Sequence, residues 1–202
     1  MFKILCVADF ESYEGDDFLK RIQLLCKAGV DEILLRAKGL SEAHFYDLAR
    51  IVAQICKNYR KKFIINQFFD VACKLKSDFW LTSAQLDFFK NHGVFLEEFR
   101  KTAKIYAPAH DLEQAKISAS IADVLVASHI FATSCKAGLK PKGLNFISDL
   151  KSLDKEIYAL GGLDSENYKE TIKAGANGIC FMSLAMNGDM ELIKKITESK
   201  NG

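Results

Sequence analysis

The sequence predicts an α/β chain folded as a single compact (β/α)8 TIM barrel, with residues 1–202 as one domain. Three observations lead there. First, four segments share one pattern: "KAGVDEILLR", "KLKSDFWLTS", "SIADVLVASH" and "KAGANGICFMS". Each ends a helical pattern, turns through a small residue and an Asp or Asn, and enters a short apolar run. The turn residues Asp31, Asp78, Asp123 and Asn177 recur at intervals of 45 to 54 residues, the length of two βα units. Second, four more short runs lie between these: Lys3–Ala8, Lys62–Asn66, Ala103–Ala107 and Glu156–Leu160. Third, all eight runs are near-continuously apolar rather than alternating, as parallel strands covered on both faces must be. An open doubly wound sheet is the alternative. It usually needs fewer strands, and the first strand here lacks the G-x-G-x-x-G turn of dinucleotide binding.

The elements follow in order. Strand one, "KILCVA", leads to "DDFLKRIQLLCKAG" (Asp16–Gly29), which starts acidic and ends in Gly as a capped helix does. Strand two, "EILLR", leads to a helix over Ser41–Tyr59, with Ser41 as candidate N-cap. Strand three is "KFIIN". The segments after strands three and four are less regular. Strand six is "DVLVA", and a helix over Ser165–Gly175 separates strands seven and eight.

Composition removes several function classes. A chain of 202 residues buries a sizeable core, and a net charge of +2 argues for neither nucleic acid nor a membrane surface as partner. The densest basic run, "YRKK" at Tyr59–Lys62, reads as a solvated helix-to-strand turn. None of the six cysteines pairs as C-x-x-C, so there is no metal or redox signature. Several lie in apolar periodic runs, as buried free thiols do in a reduced cytosol. No signal peptide or membrane span is legible, and the expected location is cytoplasmic.

In a barrel of this kind, chemistry gathers at the C-terminal ends of the strands. The residues there are Asp9; Arg36 and Lys38; Asn66 and Gln67; Thr82 and Ser83; His110; Ser128 and His129, with Thr133, Cys135 and Lys136 in the same loop; Gly161 and Gly162; Met182 and Ser183. "ALGGL" and "FMSLAM" end strands seven and eight, where barrels often hold phosphate on backbone N–H groups. Asp9 reads equally as a turn cap, Arg36 and Lys38 as rim charges, and His110 as the start of a helix. Trp80 reads as core or pocket wall. His129 has the position and the neutral-range imidazole for acid–base work, though a loop histidine is often structural.

Over nearly its whole length the sequence resembles the thiamin phosphate synthase superfamily. The landmarks are "VAD", "LLRAK", "FIIN", "APAHDLEQA", "ADVLVASHIFATSCKAGLKPKG" and "ALGGLDSENYKETIKAGANGICFMS". The resemblance implies a (β/α)8 barrel and a phosphorylated thiazole ligand. In the synthase branch, an N-D-R stretch after strand three and an aspartate after strand four hold Mg²⁺ for the leaving pyrophosphate. Here the first reads Asn66-Gln67-Phe68, and the second falls near Gln85, with Asp87 close by. Two neutral amides make a poor magnesium site.

The TenI-like thiazole tautomerases carry H-x-F-x-T-x-C-K after strand six, and "HIFATSCK" matches at His129, Phe131, Thr133, Cys135 and Lys136. The resemblance to that branch implies an isomerase that aromatises a carboxythiazole phosphate. His129 would be the proton shuttle. Arg36, Lys38, Asn66, Thr133, Cys135 and Lys136 would bind substrate. Gly161, Gly162, Met182 and Ser183 would hold phosphate, with no metal or other cofactor. The alternatives are a Mg²⁺-dependent synthase and a non-catalytic phosphate-ligand binder. A homodimer stays open.

Overall fold

The computed structural model describes residues 1–133 and 138–200, and the side chains of all of these but residues 93–95. Eight strands form a closed barrel in the order β1 to β8. The (β/α)8 expectation is therefore met. Two halves, residues 3–80 with 181 onward and residues 81–180, each have a dense set of internal contacts.

The first half holds β1 (Lys3–Asp9), β2 (Glu32–Arg36), β3 (Lys62–Asn66) and β4 (Asp78–Trp80). They pair in parallel, with Leu5 opposite Glu32 and Asp9 opposite Arg36. Helices α1 (Phe18–Lys27), α2 (Glu42–Asn58) and α3 (Phe69–Leu75) follow β1, β2 and β3. Asp17 and Ser41 cap α1 and α2 through their side-chain oxygens, the second as its sequence position suggested. Two last helices, α9 (Ser183–Asn187) and α10 (Met190–Glu198), belong to this half. Arg21 of α1 reaches the carbonyls of Leu184, Ala185 and Gly188 at 3.3, 2.7 and 2.7 Å, satisfying acceptors that the end of α9 leaves open.

The second half holds β5 (Ile105–Ala109), β6 (Val124–Ser128), β7 (Glu156–Leu160) and β8 (Gly178–Phe181). The segment after β4 breaks into a 3-10 turn at Ser83–Gln85 and two short helices, α4 (Leu86–Asn91) and α5 (Gly93–Arg100). Beyond these come α6 (Leu112–Ile121), α7 (Leu144–Leu150) and α8 (Tyr168–Ala174). A core of Leu125, Ala127, Ile147, Leu150 and Ile157 packs β6 and β7 against α7. The fully buried rings of Tyr106 and Tyr158 meet edge to face at 5.7 Å.

Strand β5 sits two residues later than the sequence suggested. Proline normally ends a strand reading, because it has no N–H for the ladder. Here the strand runs through Pro108, which stands opposite Val126, while its carbonyl accepts from Ser118 Oγ of α6 at 2.7 Å. The thiol expectation largely holds: Cys6, Cys26, Cys56 and Cys180 are buried and free, and Cys73 is exposed. Cys26 and Cys56 hydrogen-bond side chain to side chain, which lowers the Cys26 thiol and raises that of Cys56.

The four-segment repeat has a structural meaning. Asp31 donates its N–H to Ile4 O at 2.9 Å, and its Oδ2 accepts from Ile4 N at 2.8 Å. Asp123 does the same with Ile105, at 2.9 Å both ways. Asn177 does it with Ile157, at 2.7 and 2.9 Å. Each turn residue thus clamps the start of the preceding odd strand and sets its register against the next strand. Asp78 reaches the same place by its side chain, pairing with Lys62 Nζ at 3.3 Å.

Truncating a clamp leaves a buried backbone N–H without its acceptor. Asp123→Ala is expected to destabilise the protein by about 1–3 kcal/mol in urea unfolding. Asp123→Asn should retain most of the stability, because an amide oxygen already serves at Asn177. Equal stability of the Ala variant and the wild type would show that the clamp does not hold the strand.

Candidate active site

In the first half, the end of β1 meets the end of β2. Asp9 is buried, and its Oδ1 lies 2.5 Å from Arg36 Nη1. The contact is an ion pair rather than an aligned hydrogen bond, and this oxygen has no hydrogen-bond partner among the described residues. The strand register places Asp9 directly opposite Arg36, so the pair follows from the sheet itself. Arg36 keeps about a quarter of its side chain exposed and Lys38 is exposed, so both cations face solvent at a strand end. The two loops beyond are tied together. Phe10 N–H donates to Arg36 O at 2.8 Å, and Gly39 N–H donates to Glu11 Oε1 at 2.7 Å.

At the end of β3, Asn66 is buried and its Nδ2 donates to Trp80 O at 3.2 Å. That fixes the amide orientation and turns Oδ1, an acceptor, the other way. Gln67 adopts φ of 70°, a left-handed backbone uncommon for a residue with a side chain. Trp80 is buried at the end of β4, as a wall residue would be.

The second half carries the histidines. His129 is buried just past β6, and its Nε2 lies 3.3 Å from Leu139 O. A carbonyl only accepts, so Nε2 carries the proton and, in the neutral ring, Nδ1 holds the lone pair. The chain around it is closely held. Ile130 N–H donates to Leu160 O at 3.1 Å, Phe131 N–H to Gly161 O at 3.0 Å, and Lys142 N–H to His129 O at 3.0 Å. Thr133 is half-buried in the same loop, and Cys135 and Lys136 lie outside the described residues.

Gly161 and Gly162 follow β7 with φ of 100° and 68°. A Cβ at Gly161 would sit 2.9 Å from His129 Cα, and one at Gly162 would sit 2.8 Å from the carbonyl carbon of Phe131. These glycines are therefore required by the approach of the His129 loop. Met182 and Ser183 follow β8 and open α9.

Magnesium with pyrophosphate would need carboxylate oxygens where the synthase pattern has them. Gln85 Oε1 instead accepts from Thr82 N–H at 3.1 Å and from Thr82 Oγ1 at 3.0 Å, closing a capping box. Asp70 and Asp87 are exposed on α3 and α4, and Asp9 is committed to Arg36. Among the described residues, no three of His, Cys, Asp and Glu converge to hold a cation. This donor set does not fit the metal.

Two features escaped the sequence reading. The Asp9–Arg36 pair could have been found from opposite charges ending consecutive strands. The contact between His110 and Ser128 had no signal beyond their places at the ends of neighbouring strands. The ion pair has a measurable consequence: Arg36→Ala strands a buried carboxylate. It should cost on the order of 2–3 kcal/mol of stability, below the figure for a fully buried pair because Arg36 stays partly solvated. Adding Asp9→Asn should recover part of the loss in thermal unfolding, whereas additive losses in the double variant would show that the two residues do not pair.

The family described as thiamine monophosphate synthase matches residues 4–185. A thiamine-phosphate synthase of Fusobacterium nucleatum is 30% identical, covering 90% of this chain and 87% of the relative. A thiamine-phosphate synthase of Clostridium acetobutylicum is 27% identical, covering 90% and 86%. The solved thiamine phosphate pyrophosphorylase of Pyrococcus furiosus superposes with a TM-score of 0.81 over 100% of this chain and 98% of its own, at 22% identity. That last likeness speaks for the fold, while the match over most of the chain and the end-to-end relatives speak for descent: this chain belongs to the thiamine monophosphate synthase family.

Proposed function

We propose that this chain is a metal-independent isomerase of thiamin thiazole synthesis, which aromatises a carboxythiazole phosphate by moving one proton between carbons. The observation that carries this reading is His129. It is buried at a strand end with its Nε2–H on the Leu139 carbonyl, which leaves Nδ1 as the base. Nδ1 takes the proton from the substrate carbon, and the resulting imidazolium returns it to the second carbon, so the enzyme ends as it began. Arg36 and Lys38 are assigned to the substrate carboxylate, with Arg36 oriented by Asp9. Asn66, Thr133, Cys135 and Lys136 complete the substrate contacts in this reading. The phosphate is assigned to backbone N–H groups at Gly161, Gly162, Met182 and Ser183.

A second reading is the coupling of thiazole phosphate to a pyrimidine pyrophosphate. The names of the relatives favour it. Against it stand the neutral Gln67 and the capping role of Gln85.

His129→Asn is expected to lower isomerase turnover by about 10²- to 10⁴-fold with ligand affinity largely kept. Wild-type activity should be unchanged by EDTA. Robust Mg²⁺-dependent formation of thiamin phosphate would instead establish the coupling reading. Ligand binding with no turnover of either substrate set would leave a binding protein.

A further inference from the structure

We infer that His110 is a positioning residue that fixes the peptide from which His129 projects; this rests on the role given to His129 above. In the β5–β6 register Ala109 stands opposite Ala127, which brings His110 across from Ser128. His110 Nδ1 lies 3.1 Å from Ser128 O and 3.0 Å from Ser128 Oγ. The carbonyl can only accept, so Nδ1–H is the donor, and the hydroxyl oxygen lies near enough to share that hydrogen. The Ser128 carbonyl belongs to the peptide group whose nitrogen is that of His129. A hydrogen bond to it therefore sets the plane that aims the His129 side chain.

His110 is itself anchored. Its backbone N–H donates to Gln114 Oε1 at 2.9 Å, and Gln114 N–H donates to Asp111 Oδ1 at 2.8 Å, in the capped first turn of α6. On the C-terminal side His129 is held by the Lys142 N–H, by the Ile130–Leu160 bond and by packing on Gly161. On the N-terminal side the described bond to the Ser128 carbonyl from outside its own strand ladder comes from His110. A proton carrier must meet its substrate carbon within a fraction of an ångström, so slack on this side costs turnover rather than affinity.

Asparagine places its amide nitrogen where histidine has Nδ1, and glutamine places it farther out. Positioning therefore predicts an ordered series. His110→Asn should stay within about threefold of wild-type kcat, while His110→Ala and His110→Gln fall by about 10- to 100-fold with KM nearly constant. If His110→Asn is as inactive as His129→Asn, His110 carries the proton itself and the inference fails. If all three variants keep wild-type kcat and only the melting temperature moves, the role is structural and the inference also fails.

A second readout needs no turnover. Nitrogen-15 NMR of the imidazoles in the ligand-free protein should show His129 as the single Nε2–H tautomer in wild type and His110→Asn. In His110→Ala the signal should broaden or shift towards mixed tautomers. An unchanged His129 signal in His110→Ala overturns the inference even if the isomerase reading stands. A lost signal supports it even if the substrate proves to be another.

Discussion

An N–H group at the start of a buried strand must find an acceptor, and in this barrel the turn before the next strand supplies one. Asp31, Asp123 and Asn177 each exchange two hydrogen bonds with Ile4, Ile105 and Ile157. Every pair sets one odd strand against its even neighbour. Since a parallel register fixes which residues end side by side, the same clamps decide what meets at the opposite ends of the strands. Asp9 faces Arg36 because Leu5 faces Glu32. His110 reaches Ser128 because Tyr106 faces Val124. Each of these contacts is set by bonds made at the far end of the strands that carry it.

That construction shapes the chemistry. On β1 and β2 the register creates a buried carboxylate beside a guanidinium that stays partly solvated, which leaves the arginine oriented and its outer face open to an anion. On β5 and β6 it creates a histidine tied to the peptide of a second histidine. The glycine pair after β7 lets the His129 loop approach so closely that any side chain there would collide with it. Electrostatics and packing hold these groups in fixed places, and the donor set offers no cluster of carboxylates for a hard cation among the described residues.

Much of this was legible in the sequence. The eight apolar runs gave the strands, because buried parallel strands have little else to show. The Asp and Asn turn residues announced the repeat, although their reciprocal bonds needed coordinates. Strand β5 lies two residues further along than the apolar run suggested and includes Pro108, whose carbonyl is taken by Ser118. The region after β4 looked irregular and is so: three short helical pieces stand where one helix is usual. Arg36 was visible as a candidate ligand contact, but its partner was not, because pairing depends on register rather than on neighbours in the chain. The glycines at 161 and 162 drew attention as a phosphate signal, and their local reason is the room that His129 needs.

The proposed isomerase reaction requires His129 to move a proton between substrate carbons without a metal. The most direct measurement is proton NMR of the isomerisation of carboxythiazole phosphate in D2O, after exhaustive chelation of divalent cations. Wild-type protein should convert the substrate at its full rate, and His129→Asn should lose that conversion. A chelated wild-type protein that leaves the substrate unconverted, or a His129→Asn variant that converts it as fast as wild type, would contradict the isomerase reading.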